Sequence, residues 1–250
     1  MTHPLFDLTG RVALVSGAAQ GVGRAISLAF AEAGADLMLA DLNEPGVQQT
    51  AADVEALGRR AVAVKCDVSD PGQIRAMFER LDNDFGRIDV LANVAGGSVV
   101  LGPPEELDLD DVTRSLQGLV VGRFCCCQEA GRRMLSAGTG SIINIASLAG
   151  LTALGRGHAA YSTAMGGVVQ MTRELSTEWS SRGVRVNAIS PGGVYNNQPE
   201  EFVQRVSNLI PMGRMANSDE YQGAILFLCS DASSYMTGFN LVIDGGRSCW

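Results

Sequence analysis

The chain has 250 residues, 46% of them hydrophobic and 18% charged, with 27 acidic against 19 basic residues and a formal net charge of -8. That balance excludes a disordered chain and speaks against a nucleic-acid or anionic-membrane binder, whose affinity rests on attraction to phosphate. All but one of the basic residues are Arg, so chemistry needing a side-chain ammonium has only Lys65 to draw on.

In chain order, Val12-Ala13-Leu14-Val15 reads as a buried strand running into Gly17, followed by a helix over 22–33 that stops at Gly34. Leu37 to Ala40 is a second strand ending at Asp41. A helix over about 45–57 follows, and Ala61 to Val64 is a third strand ending near Asp67. Asp70-Pro71 starts a helix over 71–85, with an acidic cap and a proline at the first helical position. Ile88 to Leu91 is a fourth strand, 109–136 a long helix, Ser141 to Ile145 a fifth strand, 159–181 a helix and Val184 to Ile189 a sixth strand. A short helix over 199–208, a helix over 218–229 and a last strand, Asn240 to Ile243, complete the order. Strands alternating with helices imply an α/β fold: a doubly wound, parallel, seven-stranded sheet of Rossmann type, formed by one domain over 1–250. Ligands of such sheets bind beyond the carboxyl ends of the strands.

Three consecutive cysteines, Cys125 to Cys127, point about 100° apart on a helix and cannot converge on one metal. With Cys66, Cys229 and Cys249 isolated, free thiols and a reducing, cytoplasmic setting are expected. Residues 1–10 lack the pattern of a signal peptide, and no apolar run suits a membrane span.

After the first strand comes Gly17-x-x-x-Gly21-x-Gly23, a tight turn that allows close backbone approach and aims a helix N-terminus at an anion. Asp41, ending the second strand, suits a ribose 2′-hydroxyl and repels a 2′-phosphate, which favours NAD over NADP. With Asp67-Val68, Asn93-Val94-Ala95-Gly96 and Pro191-Gly192 after strand six, the chain resembles the short-chain dehydrogenase/reductase family over essentially its whole length. The resemblance implies hydride transfer between NAD and an alcohol or carbonyl substrate. It assigns the cofactor to Gly17, Gln20, Gly21, Val22, Gly23, Asp41, Leu42, Asp67, Val68, Asn93, Ala95, Gly96, Tyr161, Pro191, Gly192, Val194 and Asn196. Asn196 stands where the family often has a Thr that holds the carboxamide.

The family's proton chemistry uses a Tyr, a Ser that holds the substrate oxygen, a Lys four residues after the Tyr, and an Asn on the long helix. The resemblance makes Tyr161 the acid/base and Ser147 its partner. The Lys position, however, is Met165, and the Asn position, counted from Gly122-x-Phe124, is Leu119. A tyrosine ordinarily titrates near 10, and a neighbouring cation favours its phenolate, so the loss matters. Lys65 lies at the adenine side. Arg156 and His158 lead into the Tyr161 helix, as a surface charge and a solvated loop histidine or as substrate-binding and proton-carrying groups. Arg123, four residues from Leu119, shares its helix face. Either catalysis is altered, or the chain is an inactive NAD-binding homologue serving as a binding or regulatory subunit.

The segment Tyr195 to Phe202 covers the substrate in the family. Its Asn and Gln content is compatible with a hydroxylated substrate such as a sugar, against a lining of Val99, Leu101, Leu148 and Met212. This stretch and Asp244-Gly245-Gly246 weakly resemble family members of bacterial surface-sugar pathways. Val120, Val121, Phe124, Val168, Val169 and Trp179 make two helices apolar around much of their girth, which in this family implies a homotetramer or homodimer, or else a wider buried core.

Overall fold

The computed structural model describes residues 3–96, 99–155 and 157–249. Its strands are β1 (Val12–Ser16), β2 (Asp36–Asp41), β3 (Ala61–Lys65), β4 (Val90–Asn93), β5 (Gly140–Ile145), β6 (Val184–Pro191) and β7 (Asn240–Ile243). They form one parallel sheet in the order β3-β2-β1-β4-β5-β6-β7. The helices are α1 (Gly21–Glu32), α2 (Glu44–Ala56), α3 (Pro71–Phe85), α4 (Leu109–Leu116), α5 (Arg123–Ala137), α6 (Ala159–Trp179), α7 (Glu200–Ser207) and α8 (Gln222–Cys229).

Because successive strand residues point to opposite faces, β1 feeds two cores. Leu14 packs with Phe78 of α3, Ala130 of α5 and Val168 of α6. Ala13 and Val15 join Phe30 of α1, Val54 of α2 and Leu228 of α8 on the other face. Each fully buried Leu, Val or Phe contributes about 1.5–3 kcal/mol relative to exposure, so both layers hold the sheet firmly. The strand order reverses at β1 and β4, and there the loops part to leave a crevice.

The expected architecture is the observed one, with three local differences. β4 starts two residues late: the Asp89 carboxylate accepts from the Val12 amide at 2.8 Å while the Asp89 amide donates to the Val12 carbonyl at 2.9 Å, so a side chain does the pairing there. The long helix contains a π-helical turn, Gln117–Gly122, between α4 and α5. At Gly122 a Cβ would lie 1.8 Å from the Val68 carbonyl oxygen, and Gln117 donates to the Ser69 carbonyl at 3.1 Å, so this turn is pressed onto the loop after β3. The helix expected over 218–229 begins as a 3₁₀ turn, Ser218–Tyr221, with a capping box between Asn217 and Glu220. No helix among the described residues is long and apolar enough to cross a membrane.

Candidate active site

Three cavities lie beyond the carboxyl ends of the strands. The first, about 600 Å³, is lined by Gly17, Gln20, Asp41, Leu42, Asp67, Val68, Ala95 and Gly96. The second, about 510 Å³, is lined by Ser147, Tyr161, Pro191, Gly192 and Val194 among others. The third, about 430 Å³, sets Gly21 and Asn196 on one wall system with Arg24 and Ser218.

The glycine loop has a physical reason at each position. Gly17 has φ +76°, and a Cβ there would sit 2.7 Å from the Ala95 amide nitrogen. A Cβ on Gly23 would lie 1.9 Å from the Gly17 carbonyl oxygen, so α1 rides directly on the loop. Gly21 has φ +54° and meets nothing closer than Ser218 Oγ at 3.9 Å, leaving its backbone face open. No side chain caps α1, whose first amides are thus available to an anion. These features fit a dinucleotide pyrophosphate. Asp41 Oδ2 accepts from the Ala19 amide at 3.0 Å and Oδ1 from the Asn43 amide at 2.9 Å, which fixes the carboxylate at the rim while each oxygen keeps a lone pair. Arg114 also lines this cavity, its guanidinium paired with Asp111. Asp67 Oδ1 accepts from the Ser69 amide and hydroxyl at 2.8 and 2.7 Å, which shapes the loop beside Val68.

Not every expected residue faces a cavity. Asn93 is fully buried, donating to Asn144 Oδ1 at 3.0 Å and lying 3.3 Å from Cys127 Sγ, and it lines none of the three cavities. Val22 is partly buried against the α1 core, and Gly23 sits beneath the loop. The Asn196 amide donates to Gln198 Oε1 at 2.7 Å, away from the cavity that holds Tyr161.

Ser147 opens the 3₁₀ turn Leu148–Gly150 that follows β5, and its Oγ accepts from the Ala149 amide at 3.2 Å. A Cβ on Gly150 would lie 2.7 Å from the Met165 carbonyl, so the Ser147 turn lies flat on α6, which carries Tyr161 three residues from its start. His158 precedes that helix with Nδ1 2.6 Å from the Gly155 carbonyl oxygen, and it lines the Tyr161 cavity instead of standing free in solvent. Leu101 and Leu148 line the cavity as expected. Met212 does not, facing a separate small pocket beside Ile210 and Gly245, and Val99 is half exposed outside the lining. Phe202, the end of the segment expected over the substrate, lines the cavity; sequence reasoning missed Arg205 and Val206 beyond it on α7, where the amphipathic pattern in Glu200–Ser207 was the available signal. Arg156 lies outside the described residues.

A family model described as enoyl-(acyl carrier protein) reductase matches residues 17–248. A D-threitol dehydrogenase of Mycolicibacterium smegmatis is 42% identical over 246 residues, covering 96% of this chain and 94% of that protein. An NAD⁺-bound xylitol dehydrogenase superposes with a TM-score of 0.91 at 32% identity, covering 96% and 99% of the two chains. A gluconate 5-dehydrogenase of Burkholderia cenocepacia, solved with NADP and tartrate, gives a TM-score of 0.92 at 30% identity, covering 98% of each. The chain belongs to the short-chain dehydrogenase/reductase family. Relatives in this family are named as dehydrogenases of alcohols and sugars, and solved neighbours carry either nicotinamide cofactor.

Within this short-chain dehydrogenase/reductase, both unusual positions are inside the core: Met165 is 1% and Leu119 2% exposed. Lys65 ends β3, where it pairs with Glu44 at 3.8 Å on the outer edge of the sheet and takes no part in the Tyr161 cavity. Arg123, by contrast, turns inward. It is 4% exposed, donating from Nε to the Ala95 carbonyl at 3.1 Å and from Nη2 to the Val94 carbonyl at 3.3 Å, with Nη1 3.9 Å from Met165 Sδ. Burial pushes its pKa down, and attraction to Tyr161 leads the charge interactions that push it back up. Cys126 and Cys127 lie alongside, and burial holds both thiols high, Cys127 at about 12. No disulfide or metal-ligating cluster occurs among the described residues, and five of the six cysteines are buried free thiols.

Proposed function

We propose that this protein is an NAD-dependent dehydrogenase that interconverts a small polyhydroxylated alcohol and its carbonyl form. The observation that carries the reading is one cavity wall that holds Tyr161, Ser147 and the Pro191-Gly192 turn together. When bound, the nicotinamide supplies the hydride acceptor or donor. Ser147 Oγ hydrogen-bonds the substrate oxygen and orients it, and Tyr161 Oη takes the alcohol proton or returns it to the carbonyl oxygen. The open amides at Gly21 hold the pyrophosphate, Asp41 accepts from the ribose hydroxyls and disfavours a 2′-phosphate, and the loop at Asp67 and Val68 borders the adenine.

The substrate class rests on a mixed lining in which His158, Gln198 and Arg205 face Leu101, Leu148 and Leu154, and on the threitol and xylitol relatives. Val121 and Phe124, nearly half exposed on one helical surface, support assembly as a homotetramer or homodimer. The free thiols suit a cytoplasmic setting, with one dinucleotide-binding domain spanning the chain. The apolar residues at 165 and 119 favour a second reading, in which the chain binds NAD without turnover. The test follows NADH formation from NAD⁺ with a panel of four- to six-carbon polyols, beside NADH binding by fluorescence. Turnover of at least one polyol, with NAD⁺ preferred to NADP⁺, is expected. NADH binding with no turnover on the panel in either direction leaves the second reading standing, and no NADH binding at all refutes both.

A further inference from the structure

Met165 and Leu119 are the two positions at which this active site lacks the polar groups that its chemistry would call on, and the Arg123 guanidinium sits against the first of them. We propose that Arg123 is a positioning residue that supplies, from the long helix, the positive charge missing at position 165, and that it acts on the Tyr161 phenol. The inference rests on the reading of Tyr161 as the acid/base.

Three observations meet here. The first is position. Arg123 Nη1 is 3.9 Å from Met165 Sδ, one helical turn beyond Tyr161 on α6, and its other nitrogens are tied to the Val94 and Ala95 carbonyls at the end of β4. These bonds hold the planar group still, as a fork whose donors leave little freedom.

The second is charge. Among the described residues no carboxylate pairs with Arg123, although it is almost wholly buried. Its acceptors are neutral carbonyls and a thioether. A buried cation without a counter-charge is costly, and an anion brought to face it would relieve that cost. The titratable groups facing it are Cys126 and Cys127 on its own helix and Tyr161 on α6. Burial keeps both thiols protonated, so the phenolate formed when Tyr161 gives up its proton is the anion left to answer Arg123. The other charged or titratable groups around Tyr161 in its cavity are His158, Arg205 and Arg247.

The third is fit. A Cβ on Gly96 would lie 2.7 Å from Leu119 Cδ2 and 3.6 Å from Arg123 Nη2, so Gly96, Leu119 and Arg123 interlock. The apolar side chains at 119 and 165 make the slot in which the guanidinium lies. A lysine at 165 would crowd a second cation against it. The apolar side chains at 119 and 165 and the cation at 123 thus form one fitted set.

The test compares wild type, Arg123→Met, Arg123→Lys and the exchanged pair Arg123→Met/Met165→Lys by two readouts. One is the pH profile of NAD⁺-dependent polyol oxidation. The other is the Tyr161 phenolate absorbance, isolated by subtracting the Tyr161→Phe titration, which needs no turnover. Arg123→Met should lower kcat by about 10- to 100-fold and move the basic group of the profile up by about one pH unit, with NADH affinity held within about two-fold. The exchanged pair should return the profile to within about half a unit of wild type, and Arg123→Lys should keep it there. An unmoved Tyr161 titration in Arg123→Met overturns the proposal, whatever happens to kcat. No turnover by wild type, with the Tyr161 titration still shifted by Arg123→Met, refutes the dehydrogenase reading and not this one. If Arg123→Met does not fold, Arg123→Gln against wild type gives the same readings, with an upward shift of the Tyr161 titration expected and an unmoved titration overturning the proposal.

Discussion

Restoring the family's lysine should harm this protein unless Arg123 is removed with it. In Met165→Lys the ammonium carbon chain replaces a thioether whose sulfur is 3.9 Å from Arg123 Nη1. Two unit charges about 4 to 6 Å apart repel by about 3 to 4 kcal/mol at the effective dielectric of about 20 that suits protein sites. The flexible lysine stem can turn partly toward the Tyr161 cavity, so a smaller measured value, about 1–3 kcal/mol, is expected for the pair. Arg123→Met alone leaves the Val94 and Ala95 carbonyls short of a donor, and it also removes a buried, unpaired cation; the two effects oppose one another. A double-mutant cycle in urea isolates the repulsion. Four proteins are unfolded: wild type, each single variant and Arg123→Met/Met165→Lys. The double variant should be more stable than the sum of the singles predicts, by about 1–3 kcal/mol. Additivity within about 0.5 kcal/mol would place the two side chains out of electrostatic reach and refute the reasoning.

Other substitutions probe neighbouring parts of the site. Gly96→Ala forces its methyl to 2.7 Å from Leu119 Cδ2 and should cost about 1–3 kcal/mol in urea unfolding, with Leu119→Ala in the same chain recovering part of the loss. Asp41→Ser removes the charge that repels a 2′-phosphate and should raise the NADP⁺ to NAD⁺ ratio of kcat/KM by about 10-fold or more; an unchanged ratio would put cofactor choice elsewhere. Glu220 is held down at about 2 by Arg214 first and by the Asn217 amide next. Its folded pKa lies below the unfolded value of about 4.3, so its contribution is present above that value and lost as pH falls toward 2. The stability gap between wild type and Glu220→Gln should therefore be constant above about pH 5 and close between pH 4 and 2; a gap that persists at pH 2 would contradict the pairing.

Much of the scaffold was legible because strong local signals stood at its corners. Asp70 before Pro71 marked the start of α3, where its carboxylate accepts from the Gly72 amide at 2.7 Å, and the helix runs over Pro71–Phe85 as read. The short apolar run at β7 was bounded on both sides, and it occupies Asn240–Ile243. The β4 boundary was not, because its apolar pattern begins at Ile88 while Asp89 pairs through its side chain. The π-helical turn left no periodic trace, since it follows from Gly122 being pressed on Val68, a contact between segments far apart in the chain. The glycine loop, the acid ending β2 and the Tyr161 and Ser147 positions were visible as motifs, and those residues line cavities at the carboxyl edge of the sheet. What spacing could not show was direction. An arginine four residues from Leu119 shares its face, yet arginines usually reach solvent, and only the packing of Gly96, Leu119 and Met165 shows why this one turns inward. Likewise Met212 and His158 were placed by loop closure, which sequence distance does not encode.

The central claim is that Tyr161 moves the proton in a hydride-transfer reaction, and Tyr161→Phe tests it most directly. With NAD⁺ and the best polyol from the panel, kcat of the Phe variant should fall by about 10²- to 10⁴-fold while NADH binding stays within about three-fold of wild type. A Phe variant that retains wild-type kcat with NADH binding intact would contradict the account.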